Sequence, residues 1–423
     1  MSKDDPDADC ADFQDQPPPP FDANDVDYPF KVLSHQVRGM PSKHCFHSLL
    51  IILIVVDLLL DFWWPSTIPR IEMPTNLVQF YREYVSQSKP CIIVGAFDKW
   101  DALRKWDLEY LRDKAGNLEI SADLTPSGHG DCIAPAPDYD PLRSYSTPSS
   151  VPEGEVYDAS RCFVKPHQCK IRFREFLDAL VSHQHKLRTD DPTAASDEVY
   201  YLQHQNDSFR KEYIGVLGQD MDNSVERFGT EVFGGPPDAV NFWAGDSRAV
   251  SSMHKDHYEN LYCVVKGTKR FTLLPPTDLP WLNQHWFREA NFERNEEGKL
   301  VPVVQVPENA IPWIPIDPDM DPALRAFVHP RAKHISPLHV EVHEGETLYL
   351  PALVYHKVAQ EGDAKEGKVI AINYWWDMQF GTSFTYFKLL EAMTSQRDTN
   401  DRKEEEEWLR NRTRLGQANT DNQ

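Results

Sequence analysis

The sequence predicts a mainly β fold, a barrel or sandwich braced by helices. The second half of the chain, from DAVNFWAGD (238–246) to Trp376, is a series of short apolar segments divided by turns, the pattern of a sheet protein that buries one face or closes on itself. The first half mixes amphipathic helical stretches with isolated strand-like ones, which suits helices packed around such a core. No internal repeat is present.

Taken in order, NLVQFYREYVSQSK (76–89) has helical spacing, with Leu77, Phe80, Tyr81 and Val85 on one face. KPCIIVGAF (89–97) is a short apolar strand ended by Gly95, and WDLEYLRDKAG (106–116) is a helix stopped by Gly116. NLEISADLTPSG (117–128) alternates as a strand does. Residues 133–166 are rich in Pro, Ser and Asp and read as a surface insertion. IRFREFLDALVSHQHKL (171–187) is helical, and EVYYLQHQ (198–205) is strand-like again. LYCVVKGTKRFTLL (261–274) reads as two strands around a tight turn at Gly267-Thr268. GETLYLPALVYHKV (345–358) is strand, Pro-marked bend and strand, and VIAINYWWDM (369–378) is a further strand. SFTYFKLLEAMT (383–394) closes the folded part as an amphipathic helix before a charged tail, 396–423.

With 423 residues the chain can bury a large core. Its formal charge is −22, of which nine aspartates between Asp4 and Asp27, set against Lys3, supply −8. The acidic remainder repels phosphate backbones, so no nucleic acid is expected as a partner, whereas basic peptides are attracted. Seven scattered cysteines, odd in number and without a CxxC pair, point to reduced thiols in the cytoplasm or nucleus. Residues 1–44, acidic and carrying QPPPP at 16–20, read as disordered. In the apolar segment 45–68, SLLIILIVVDLLLDFWW (48–64) has an unbroken apolar run only from 49 to 56, short of the roughly 20 residues a bilayer needs. Asp57 and Asp61 interrupt the rest of the segment. A packed helix or a translated intron is the favoured reading, a membrane anchor the alternative. The folded domain is expected over 69–395.

Chemistry is suggested by MHKDHYENLYCVV, which begins at Met253. Side chains two apart on a strand share a face, so His254 and Asp256 can both reach one metal ion. A third ligand from another strand would complete the two-histidine, one-carboxylate set of non-haem Fe(II) oxygenases. The short triplet is a weak signal. Sixteen histidines in a chain with 66 acids among 423 residues give about 2.5 His-x-Asp/Glu triplets by chance, and four are present: His129/Asp131, His254/Asp256, His257/Glu259 and His339/Glu341. Phase separates them. If His254, Asp256, Tyr258, Asn260 and Tyr262 face inward, the turn at Gly267 switches parity, so that Lys269, Phe271 and Leu273 face inward too. A buried ammonium needs an anion, and a dicarboxylate cosubstrate would supply it. A lysine beside a turn is more often simply solvated, and an isolated His356 is more often a core or surface histidine than a ligand. Asn373 is a polar residue in an apolar row, suited to hydrogen-bond a chelated acid.

HKDHYENLY with Lys269, LYLPALVYHKV and INYWWDM together resemble the JmjC-type 2-oxoglutarate oxygenases, most of all the jumonji domain-containing protein seven group of lysyl hydroxylases. FYREYV, CIIVGAF, TPSG (125–128), PDAVNFW (237–243) and PWIPIDP (312–318) extend the likeness over about 68–394. The resemblance implies a double-stranded β-helix, the jelly-roll or cupin-like core, with flanking α-helices. It implies Fe(II) on His254, Asp256 and His356, and 2-oxoglutarate with its distal carboxylate on Lys269 and Tyr201. Ser251, Asn260 and Asn373 would line the cosubstrate. Ser251 stands where relatives have Thr, and His129 where close relatives have an aromatic. With O2, the implied reaction decarboxylates 2-oxoglutarate to succinate and CO2 and hydroxylates a lysyl side chain of a protein or peptide. Histone lysine demethylation and metal-dependent endopeptidase activity are the alternatives on the same fold. Asp131, Glu259 and Asp377 are the acids considered for a substrate rim.

Overall fold

The computed structural model describes residues 64–395 apart from 154 and 197. The acidic stretch 1–44, the apolar segment up to residue 63 and the charged tail 396–423 lie outside the described residues. Among the described residues no helix is long and apolar enough to cross a membrane.

Eight strands form the core: β1 (Ala239–Gly245), β2 (Val250–His254), β3 (Tyr258–Lys266), β4 (Thr268–Leu274), β5 (Leu338–His343), β6 (Glu346–Leu350), β7 (Tyr355–Glu361) and β8 (Val369–Asp377). One sheet has the order β6-β3-β8-β1, continued beyond β6 by Cys91–Val94 and Arg70–Glu72. The other has the order β5-β4-β7-β2, continued beyond β2 by His129–Gly130. The pairings among the eight are antiparallel. Every connection between consecutive core strands changes sheet except that from β4 to β5, which makes the double-stranded β-helix of a jelly roll.

Burial follows the pattern of each strand. β8, VIAINYWWD, is buried at every position but the last. Its outer face packs Ile372, Tyr374 and Trp376 into a core with Trp100, Trp106, Phe173 and Phe176 of the helical first half. A strand covered on both sides is apolar nearly throughout, and Asn373 is the exception in β8. β5, LHVEVH, alternates buried and exposed, because its outer face meets water. The expected helices are present as Leu77–Phe80 running on into Tyr81–Val85, Leu108–Ala115, Phe173–Arg188 and Thr382–Ser395.

Two expectations need correction. β3 and β4 are not partners in a hairpin: β3 pairs with β6 and β8, and β4 with β5 and β7. Gly267 instead turns the chain from one sheet to the other, at φ +74°, where a Cβ would lie 2.7 Å from the Glu361 carbonyl oxygen. The parity switch survives because the two sheets face each other. The stretch 133–166 is not simply a surface insertion. It contributes most of Cys132–Pro135 and all of Tyr157–Lys165, the latter a nine-residue strand parallel to His285–Arg294 in a third sheet. A loop rich in Pro and Ser between those strands masked them in the composition.

Candidate active site

β2 ends on His254, and the antiparallel register of β2 with β7 sets it opposite His356. The two imidazole rings are 4.2 Å apart. Asp256 lies in the short link from β2 to β3, where its carbonyl accepts the Leu353 N–H at 2.9 Å. Leu353 itself is at φ +67°, a costly conformation for a leucine, of the kind held at functional sites. His254, Asp256 and His356 each offer one ligand atom within 4.8 Å of the others.

Hydrogen bonds settle which imidazole nitrogens face the group. His254 Nδ1 lies 2.7 Å from the Ser252 carbonyl oxygen and His356 Nδ1 lies 3.0 Å from that of Val354. A carbonyl only accepts, so Nδ1 carries the proton in both rings and the lone pairs are on Nε2. His356 Nε2 is 3.7 Å from Asp256 Oδ2. Burial, and then the neighbouring His254, push the His356 pKa down to about 4, so the ring is neutral near pH 7. Two neutral imidazoles and one carboxylate suit a divalent iron and leave coordination positions for other ligands. His257 is exposed, and its ring meets Phe380 and Phe384 outside the core. His339 is likewise outside, 3.6 Å from Asp319.

On β4, Lys269 is 1% exposed. Its ammonium donates to the Tyr201 hydroxyl at 2.9 Å and to Gln360 Oε1, both neutral. Among the described residues no carboxylate pairs with it, and burial lowers its pKa to about 7. Tyr201 comes from a separate three-stranded sheet, on Val199–Tyr201, and lines the same cavity as Ser251. One cavity is lined by Tyr201, Ser251, His254, Asp256, Asn260, His356 and Asn373 together with Trp243 and Trp375. Asn373 Oδ1 accepts from Trp243 Nε1 at 2.8 Å, and its amide donates to Asn260 Oδ1 at 3.2 Å. These bonds fix both amides in one orientation, with the Asn260 NH2 left to donate. The pocket therefore has a lone-pair cluster in its lining and, behind Tyr201 of the same lining, the uncompensated ammonium of Lys269. A small dianion able to bridge them would satisfy both.

Sequence reasoning missed Gln360, which holds Lys269 and also donates to the Asp246 carbonyl at 2.6 Å. Strand parity could have found it, since His356, Val358 and Gln360 share the inner face of β7, opposite Leu273, Phe271 and Lys269 of β4. Trp243 had no comparable signal. Of the three acids considered for a rim, Glu259 accepts from the Tyr349 hydroxyl at 2.7 Å, its pKa raised to about 7 by burial, in a different pocket. Asp377 is exposed at the end of β8. Asp131 is partly buried, and its backbone carbonyl accepts the Ser252 hydroxyl at 2.6 Å.

The Cupin-like domain family matches residues 77–382. JmjC domain-containing protein E of Dictyostelium discoideum is 39% identical over 345 residues, 79% of this chain and 90% of that protein. A bifunctional peptidase and (3S)-lysyl hydroxylase of Homo sapiens is 34% identical over 330 residues, 78% of this chain and 90% of its own length. A lysine-specific demethylase of Arabidopsis thaliana is 37% identical over 340 residues, 78% and 87% of the two chains. A jelly roll with this cavity between its sheets, and relatives of this extent, lead to one conclusion: the chain belongs to the cupin-like JmjC family of Fe(II)- and 2-oxoglutarate-dependent oxygenases.

Proposed function

We propose that the protein is a lysyl hydroxylase that acts on protein or peptide substrates. His254, Asp256 and His356 would hold Fe(II), through Nε2 of each histidine and a carboxylate oxygen. Lys269 and Tyr201 would receive the distal carboxylate of 2-oxoglutarate, and Ser251, Asn260 and Asn373 would line its flanks. The observation that carries this reading is the buried Lys269 ammonium with only neutral partners, since a buried charge without its counterion is unfavourable until an anion arrives.

When bound, the iron and 2-oxoglutarate supply the oxidation of a C–H bond by O2, with succinate and CO2 as coproducts. The chain's part is geometric and electrostatic. The Ser252 and Val354 carbonyls hold the imidazole tautomers, and the Leu353 N–H fixes the Asp256 backbone. Lys269 orients the cosubstrate by its charge, while Trp243, by fixing Asn373, keeps the amides pointed one way. Trp243 and Trp375, largely buried, exclude water from the cavity.

The demethylase relative makes methyl-lysine the second reading, with the same C–H chemistry on a different substrate. A hydrolase would leave Lys269 without a purpose, and neither GxSxG nor HExxH occurs in the chain. Protein loaded anaerobically with Fe(II) is given lysine-rich peptides, 2-oxoglutarate and air, and the products are weighed. A lysyl product heavier by one oxygen together with succinate is expected. Loss of methyl groups would favour demethylation, and shortened peptides would favour proteolysis. Asp256→Ala should lower succinate formation by at least about a thousandfold, because the metal's contribution is several kcal/mol. Unchanged hydroxylation in that variant would show the ligand assignment to be wrong.

A further inference from the structure

The wall beside His254 holds a second charge without a partner. Asp131 has φ +51°, a backbone state open mainly to Gly, Asn and Asp. Its carbonyl accepts the Ser252 hydroxyl at 2.6 Å, and the Ser252 carbonyl in turn accepts His254 Nδ1–H at 2.7 Å. Asp131 is thus two hydrogen bonds from the His254 ring. Among the described residues no cation pairs with its carboxylate and no donor bonds it. Lys165, whose charge reaches it, is committed to Glu289. Asp123 nearby adds like charge. Burial raises the Asp131 pKa, while His254 and Lys165 act in the other direction.

The same Ser252 hydroxyl joins the Asp131 backbone to an aromatic face. Trp313 lies parallel to the His254 ring, 7° apart in plane and 6.3 Å between centroids. Its Nε1–H donates to the Ser252 hydroxyl at 3.1 Å, the hydroxyl that also anchors Asp131. Phe163 backs it at 4.5 Å. Ser252 therefore ties the Asp131 backbone, the indole and His254 into one unit. An unpaired anion beside an apolar wall suits a side chain with an aliphatic stem and a cationic tip.

We propose that Asp131 receives the ε-ammonium of the substrate lysine, with Trp313 as the wall along its methylene chain. This inference rests on the lysyl hydroxylase reading and makes Asp131 a specificity-determining residue. The charge would select lysine over an apolar side chain of equal length and hold its carbons beside the metal site.

The test uses the full-length, Fe(II)-loaded protein and two peptide libraries. One has lysine fixed at the centre; its twin has 2-aminoheptanoic acid there, in which a methyl group replaces the ammonium. Wild-type protein should hydroxylate lysine with a kcat/KM at least about thirtyfold above its twin, as expected for a desolvated charge pair. Asp131→Asn, which tolerates the backbone conformation, should bring that ratio close to one, mainly through KM, while the affinity for 2-oxoglutarate is unchanged. Asp131→Gly, also compatible with φ +51°, is the second variant should the first not fold. A merely structural role would lower both libraries together and leave the ratio intact, and that result would overturn the inference while leaving lysyl hydroxylation standing. If wild-type protein oxidises neither library but consumes 2-oxoglutarate with other peptides, the hydroxylase reading fails, and the inference with it.

Discussion

Two lysines in this molecule are equally buried and differently kept. Lys368, 2% exposed at the turn before β8, is paired with Asp363 at 3.1 Å and with Glu366. Lys269, 1% exposed at the centre of the jelly roll, has a tyrosine, a glutamine and, among the described residues, no acid. The first is complete as it stands. Its two carboxylates balance the charge, and the arrangement holds the turn 363–368 through which the chain passes from β7 to β8. The second is incomplete until something anionic enters the cavity. Burial alone therefore does not distinguish a structural charge from a functional one; the absence of a counterion does.

The widest separation between the two should be in stability. Lys368→Met strands two largely buried carboxylates and is expected to lower the unfolding free energy by about 3 kcal/mol. Lys269→Met, without 2-oxoglutarate, removes an unpaired buried charge and should leave stability level or raise it by about 1 kcal/mol. Urea unfolding of both variants checks this, and equal losses would break the distinction.

A smaller effect comes from titration. Burial lowers the Lys269 pKa in the folded protein to about 7, against an ordinary value of 10.5. Between those values the unfolded chain keeps a proton that the folded one does not. Stability should therefore rise with pH across that window, by up to about 1.4 kcal/mol per pH unit from this group. Below about pH 7 both states are protonated and its contribution to the slope disappears. The slope of wild type minus that of Lys269→Met isolates the group. Bound 2-oxoglutarate, by supplying the counterion, should flatten the difference.

The smallest expected change is at Ser251, which lines the cavity but lacks the methyl group of the threonine that the family resemblance implies there. Ser251→Thr should tighten 2-oxoglutarate a few-fold, in keeping with about 0.8 kcal/mol for one buried methyl group. A titration of the metal-loaded variant reads it directly; weaker binding would mean that the cavity has already closed around the smaller side chain.

Much of this site is legible in the sequence because strands alternate. Even positions before Gly267 and odd positions after it put His254, Asn260, Lys269 and Phe271 on inner faces, and the structure has them around one cavity or directly behind it. The same count from His356 reaches Gln360, a polar residue that belongs to no motif and so draws no attention by itself. The chain's passage between sheets at Gly267 is not legible, since a hairpin and a sheet-crossing corner share the same local turn chemistry and differ only in which strands pair. Tyr201 is a different case. It arrives from a sheet outside the jelly roll, so no periodicity links it to Lys269, and only the family resemblance suggests it. Trp313 and Phe163 belong to the third sheet, part of which is hidden in residues 133–166. Long-range pairing, not local pattern, brings them beside His254.

The central claim is that Lys269 is kept unpaired for the distal carboxylate of a dicarboxylate cosubstrate. Its most direct test compares 2-oxoglutarate with 2-oxobutyrate, which keeps the 2-oxo acid and lacks the distal carboxylate, in binding to the metal-loaded protein. Wild type should favour 2-oxoglutarate by about a hundredfold, the worth of a buried charged contact, and Lys269→Met should bind the two alike. Undiminished preference for 2-oxoglutarate in Lys269→Met would contradict the account.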